Sequence, residues 1–428
     1  MTTSKRLKIG TAVAAALALT ISLTACGTTE KSNTPTSSGS AGGSAAGIDA
    51  SACPDSATKE ITGDTITIGQ SGPLSGPYAA VGSANKTVKA YVDSINADGG
   101  LQTTAGKKKL KLITLDDQYQ ASKTQSNVRE LVEQDHVSAI VGLVGTANGL
   151  AVAPYLDQQC VPSLFPLSGS TQLLQYKFTT VGQTYLDQGA VIGKYLKQKY
   201  PNAKVAVLYQ NDDTGKDSLA GVKSQIDGTG ISIVKEESYE PTDTDVSAQM
   251  TTLAATKADV LLGFAFSVKC TQALKNLQAT SWRPVILTDT MCADNDINAA
   301  NVPDIATKIY KTDANKTSQA LYGSDADFKK FVATVTKEGI EPTATPVTAW
   351  VPFELDLAAI SNAKPLSSVG IAEAARSLPA DTHPGLLRDG IQISTTPGEP
   401  AIRQFYMDPW DPAAKGFGKS TEPPISAE

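Results

Sequence analysis

Histidine is almost missing from this chain: His136 and His383 are the only two in 428 residues, and they stand far apart without ligand spacing. No Cys-x-x-Cys occurs either, so no metal site is expected and no cofactor is called for. The nucleophile patterns of hydrolases are also lacking. There is no Gly-x-Ser-x-Gly and no Cys/His arrangement, and Gly215-Lys216 runs into Asp217 where a phosphate-binding loop needs Ser or Thr. An enzyme is therefore not expected. Basic runs are scarce as well. Lys107-Lys108-Lys109 is the one cluster outside the N-terminus, and it reads as a solvated turn before a strand. The formal charge is −6, and taking away the three cations of the first 25 residues makes it −9, which argues against a nucleic-acid partner. Beyond the N-terminus no segment is apolar for long enough to span a bilayer.

The N-terminus itself is distinctive. Lys5, Arg6 and Lys8 precede an apolar stretch from Ile9 to Leu23, the charge order and length of a signal peptide. It ends in Leu23-Thr24-Ala25-Cys26-Gly27, which looks like a bacterial lipobox with Cys26 as the thiol that receives the lipid. Residues 1–25 are thus expected to be a lipoprotein signal peptide. Residues 26–54, rich in Ser, Thr, Gly and Ala, read as a flexible tether holding the protein to the membrane by its lipid alone. Four cysteines follow: Cys53, Cys160, Cys270 and Cys292. An even number in an exported chain suits two disulfides, and four cysteines allow three pairings. Cys53–Cys160 with Cys270–Cys292 is favoured, because the latter pair flanks adjacent strand-end loops; the other pairings stay open.

From residue 55 the chain alternates short β-rich runs with helical patterns. Thr65 to Gly69 reads as a strand, and Ser71-Gly72-Pro73-Leu74-Ser75-Gly76-Pro77 as the loop after it. Val88, Tyr91, Val92 and Ile95 then recur at helical spacing until Asp98-Gly99-Gly100 stops the helix. Leu110 to Leu115, Ala139 to Val144 and Pro162 to Leu167 read as further strands. The second half repeats the theme at Val205, Ile231, Asp259 and Val285, and Ile391 to Ile393 and Phe405 to Met407 look like strands in a turn-rich tail. Strand, helix, strand at this spacing predicts two α/β units with parallel sheets, broken near Val181-Gly182.

Ligands of open parallel sheets bind beyond the carboxyl ends of the strands. The loops after Ile68, Val144, Leu167 and Leu287 are therefore the candidates. Gly145-Thr146-Ala147 and Ser168-Gly169-Ser170-Thr171 each bring hydroxyls and free N–H groups to a helix N-terminus, where a carboxylate is favoured. Plain capping by Thr146 and Ser170 is compatible with that role. Asp289 stands at a strand end where it can meet a ligand ammonium. Tyr185, Phe264 and Phe266 are placed to wall the crevice.

Ile68-Gly69-Gln70-Ser71-Gly72-Pro73-Leu74-Ser75-Gly76-Pro77, Ile95-Asn96-Ala97-Asp98-Gly99-Gly100, Lys204 to Tyr209 and Glu237 to Asp245 occur in the order found in one family. The chain resembles the branched-chain amino acid (Leu/Ile/Val) binding proteins, substrate-binding lipoproteins of ABC transporters with the periplasmic binding protein type I fold. The resemblance implies an α/β protein of two Rossmann-like lobes joined by a three-crossover hinge. It also implies closure over one small-molecule ligand, an ABC transporter permease as partner, and a monomer anchored outside the cytoplasm. By motif, Thr146 with Ala147, and Ser168 with Ser170, take the amino-acid carboxylate; Tyr185 lines the pocket; Asp289 takes the ammonium. Lobe 1 is expected at 55–182 and 308–384, and lobe 2 at 183–307 and 385–428. Two departures bear on the cargo: Thr290 stands where the family has Gly, and Val81 where some relatives carry an aromatic. An amide, urea or a small aromatic acid is the alternative cargo, and a ligand-sensing surface receptor the alternative role.

Overall fold

Runs rich in Ile, Val and Leu become the strands of two sheets in the computed structural model, which describes residues 47–428 apart from Pro77 and Thr395. The signal segment, Cys26 and the first part of the tether lie outside the described residues. In the first sheet β1 (Thr65–Gly72) is parallel to β3 (Gly106–Asp116), and β2 (Leu101–Thr103) folds back antiparallel on β3. Beyond β1 the sheet continues as single parallel bridges, Gly69 to Ile140, Ile140 to Ser163 and Ser163 to Thr179. The strands expected at 139–144 and 162–167 thus run in line without forming regular ladders. Gly142 (φ 57°) takes a left-handed turn inside the first and Gly145 (φ 101°) ends it, and Pro162 and Pro166 have no N–H to give in the second. A Cβ on Gly142 would lie 2.9 Å from Gln70 Oε1, so glycine lets the two segments come together there.

The second sheet holds β4 (Lys204–Gln210), β5 (Ser232–Tyr239), β6 (Val260–Phe264), β7 (Val285–Thr288) and β8 (Ile309–Asp313), all parallel, in the order β8-β7-β6-β4-β5. β9 (Gln404–Asp411) closes it antiparallel to β8, and β10 (Gly416–Phe417) and β11 (Ile425–Ser426) pair antiparallel with β9. The strand period of two sorts β4 between two cores. Val205 and Val207 pack in one cluster with Val191, Ile192 and Val222 of the helices Tyr185–Lys199 and Asp213–Ile226. Ala206 and Leu208 pack in another with Leu253 and Leu274 of Ser247–Ala255 and Val268–Gln278. A strand buried on both faces is what a helix-covered parallel sheet requires.

Three segments pass between the sheets, 181–183, 314–318 and 385–402. They are tied to one another by Ile402 N–H donating to Gly182 O (2.7 Å) and Arg388 N–H donating to Ala314 O (2.9 Å). The return toward the first sheet falls after Asp313 and not near Lys308, because 309–313 is itself β8 of the second sheet. Its polar Lys311-Thr312-Asp313 end hides it from a hydrophobic pattern. After it come the helices Ala326–Lys337, Ala344–Asn362 and Ser368–Arg376. Trp350 of the second stacks on Tyr91 of the helix Ser83–Ala97, ring centroids 3.9 Å apart, which fixes this excursion to the first layer. The crossing expected near His383 is spread over 385–402, where Ile391 to Ile393 keeps only a bridge from Ile393 to Ile402. The disulfides Cys53–Cys160 and Cys270–Cys292 are both formed. No helix among the described residues is long and apolar enough to cross a membrane.

Candidate ligand-binding site

The irregular end of the first sheet exposes a helix terminus. Gly145 leads into the helix Thr146–Gln159, and no side chain caps it, so its first N–H groups stay open to an acceptor. Thr146 Oγ1 and Ser168 Oγ share a hydrogen bond of 2.8 Å, which brings the two hydroxyl loops together. Ala147 is exposed and Thr146 half-buried, whereas Ser168 is buried and Ser170 has no exposure. Ser170 caps the short turn Thr171–Gln175 by accepting from Gln172 N–H at 3.3 Å, so of this group it is the one turned toward the fold.

Asp289 follows β7 and is completely buried. Its Oδ2 accepts from Ser218 Oγ–H at 2.6 Å and its Oδ1 from Met291 N–H at 3.1 Å. Burial pushes its pKa up to about 6, against the pull of those two bonds. The loop is pinned further by Gln188 Oε1, which accepts from Thr290 N–H and Thr290 Oγ1–H, each 3.0 Å. Tyr185 opens the helix Tyr185–Lys199 and joins the two sides of the cleft. Its N–H donates to Gly169 O at 2.9 Å, and its hydroxyl is held above the ordinary phenol value by burial and then by the charge of Asp289.

The structure puts Phe264 elsewhere. As the last residue of β6 it has no exposure and belongs to the core beneath Asp213–Ile226, because its place on the strand points it inward. Phe266, two residues on, is the half-exposed ring, and its N–H donates to Tyr239 Oη at 2.9 Å. His136 and His383 are both exposed, and no group of metal-ligating side chains assembles among the described residues.

Three cleft residues were not among the candidates: Tyr78, Tyr119 and Asp212. The rings of Tyr78 and Tyr119 lie 4.5 Å apart. Tyr119 packs beside Gly145 so closely that a Cβ there would meet its Cε2 at 2.8 Å. Asp117 shapes this loop, accepting from Tyr119 N–H (2.8 Å), Ser71 Oγ–H (2.9 Å) and Thr124 Oγ1–H (3.0 Å). Asp212 caps Asp213–Ile226, and its charge adds to burial in raising the hydroxyls of Tyr119, Tyr185 and Tyr239. Tyr78 lies in the loop beyond β1 that was already a candidate, whereas Tyr119 and Asp212 follow the parallel strands β3 and β4. The strand-end rule would have found them had it been applied to every strand.

Contact also passes directly across the cleft: Asp217 Oδ2, on Asp213–Ile226, accepts from the N–H and the Oγ1–H of Thr171, both at 2.9 Å. An uncapped, anion-favouring helix terminus thus stands on one side and a buried carboxylate on the other, with Tyr185 between them, near enough to Asp289 for its charge to raise the Tyr185 hydroxyl.

The profile of a family described as periplasmic binding protein matches residues 65–415. Among curated proteins, the Leu/Ile/Val-binding protein homolog 3 of Brucella melitensis is 31% identical over 201 residues, 46% of this chain and 53% of that one. The chain spans about half the length of the curated relatives it matches. Among solved structures, the branched-chain amino acid transporter substrate binding protein LivJ of Streptococcus pneumoniae, in complex with isoleucine, aligns with a TM-score of 0.69 at 21% identity, covering 85% of this chain and 99% of that one. A fatty acid ABC transporter substrate-binding protein from Thermomonospora curvata aligns as well, with a TM-score of 0.72 at 22% identity over 86% and 94%. At such identities the structures share the fold, and the two cargoes in their names are different.

Proposed function

Since the chain belongs to the periplasmic binding protein family, we propose that it is the extracytoplasmic solute-binding component of an ABC importer, capturing an amino acid of branched-chain type or a close relative. The observation that carries this is the pairing of opposite chemistries across one crevice. The open N-terminus of Thr146–Gln159, with Thr146 and Ser168 beside it, suits a carboxylate, and buried Asp289 suits an ammonium. The names of the relatives, Leu/Ile/Val-binding proteins among them, support the same class of cargo. Residues 55–182 with the excursion after Asp313 form one lobe, and the β4–β9 sheet with its helices forms the other. A ligand that bridges them favours the closed state by its differential affinity for it. Lipidation of Cys26 anchors the protein to the membrane, a permease receives the cargo, and the protein acts as a monomer.

The tyrosine lining favours a second reading within the same role. Tyr78, Tyr119 and Tyr185, all half-buried, offer an aromatic, hydroxyl-bearing lining better matched to a small aromatic acid than to an aliphatic side chain. A thermal-shift screen of a chain beginning at Gly27, against the amino acids, amides, urea and aromatic acids, separates the two. A ligand at a hundred times its Kd stabilises the folded state by about 2.7 kcal/mol. A rise with isoleucine or a relative supports the first reading. A rise with an aromatic acid and none with any amino acid replaces it by the second. No rise with any of them removes both.

A further inference from the structure

Two disulfides are present, and they stand in very different places. Cys160 closes the far end of Thr146–Gln159, about 20 Å along the helix from its cleft terminus. It ties down Cys53 and the turn Ala50–Ala52. Cys270 and Cys292 instead stand in the second sheet's layer beside the cleft. Cys270 lies in the first turn of the helix Val268–Gln278, directly after the loop that carries Phe266; Cys292 lies in the loop after β7 that carries Asp289.

The bonds around this cross-link converge on Met291 and the peptide units on either side of it. Met291 N–H donates to Asp289 Oδ1 at 3.1 Å, while Met291 O accepts from Ser267 N–H at 3.3 Å. Cys292, the next residue, donates its N–H to Asp289 O at 3.4 Å, and Cys270 donates its own to Ser267 O at 2.9 Å. The disulfide therefore spans the point at which the Phe266 loop grips the loop of the buried carboxylate. Ser267 sits at φ 52°, a left-handed conformation that serine does not favour and that its surroundings must impose. The pair itself borders a small apolar void that Leu208, Ile286 and Ile309 also line.

We propose that the Cys270–Cys292 disulfide is a positioning element of the ligand site. It fixes Met291, and through Met291 N–H the Asp289 carboxylate, so that removing it weakens ligand binding before it weakens the fold. The affinity half of this rests on the reading of the cleft as an amino-acid site; the positional half does not.

The test compares C270A/C292A with C53A/C160A, both in the chain beginning at Gly27, at a temperature where near-UV circular dichroism shows each to be folded. Amide exchange is read over 266–292, and isoleucine binding by calorimetry. In C270A/C292A the amides of Ser267 and Met291 exchange at least tenfold faster than in the parent, and the affinity for isoleucine falls tenfold or more. In C53A/C160A both stay within about twofold of the parent. Unchanged exchange at Met291 overturns the proposal whether or not isoleucine binds. Faster exchange with unchanged affinity overturns it too, as do equal losses in the two variants, which mark a general loosening. If the parent binds no amino acid, the functional reading falls and exchange at Met291 alone decides the positional claim. Should C270A/C292A fail to fold, C270A/C292V, which fills more of the lost volume, is measured in its place.

Discussion

Acidification should pull the empty protein and its complex in opposite directions, and Asp289 is the reason. With a pKa pushed up to about 6 by burial, it is ionised at neutral pH and largely protonated at pH 5. An ammonium needs the ionised form, and isoleucine keeps both of its own charges throughout this range. The apparent affinity should then hold steady down to about pH 7 and fall about tenfold by pH 5, some 1.4 kcal/mol. The stability of the free protein runs the other way. Because the folded value lies above the 3.8 of an ordinary aspartate, the folded state binds more protons between the two values, so stability rises as pH falls through this window. From this group alone the gain is about 3 kcal/mol once the pH reaches the lower value. Isothermal titration across the range, beside urea unfolding of the free protein, measures both. Asp289→Asn should abolish the pH dependence and cost about 2–5 kcal/mol of affinity, the usual penalty for removing one member of a buried charge pair. An isoleucine affinity that stays flat from neutral pH to pH 5 in the parent would refute the reasoning, since the ammonium would then be held elsewhere.

Three further outcomes follow from contacts described above. Asp217→Ala removes the acceptor of both Thr171 bonds, so X-ray scattering should show a more open free protein, with affinity about tenfold lower from about 1–2 kcal/mol of lost closed-state preference. Gly145→Ala places a methyl 2.8 Å from the Tyr119 ring at a φ of 101°, and should cost about 1–3 kcal/mol in urea unfolding while displacing the Tyr119 ring. Arg388→Ala strips the buried Asp408 of its partner and should cost about 3–5 kcal/mol, read as a lower urea midpoint.

Hydrophobic period and turn residues were enough to place most of the strands and the helices between them, because Ile66 and Ile68, or Val205 and Val207, leave no other face to bury. They were not enough for β8, whose Lys311 is buried against Asp294 and Asp313 at 3.1 and 3.2 Å; burial there is made possible by ion pairing that no pattern of apolar residues announces. The segments 139–144 and 162–167 look like strands in composition, and the left-handed Gly142 in the first and the two prolines in the second decide otherwise. Thr146, Ser168, Tyr185 and Asp289 were named from strand ends and hydroxyl-rich loops, which are local signals, and the fold bonds Thr146 to Ser168 and Tyr185 to Gly169. The Tyr78–Tyr119 pair joins loops that lie forty residues apart in sequence, and only the folded chain brings them together.

The pairing of β8 with β9 also sets an order of assembly. Tyr310 lies opposite Pro409, so the second sheet borrows its outer strand from about a hundred residues downstream, after the long helical detour through the other lobe. A chain emerging from its N-terminus has β4 to β8 in hand well before β9 exists. Until then β8 is a bare edge, with backbone donors and acceptors that any passing strand can satisfy. Interruption before residue 404 would leave this sheet one partner short, and the price would be paid in aggregation, even though nearly all of the cleft had already been made.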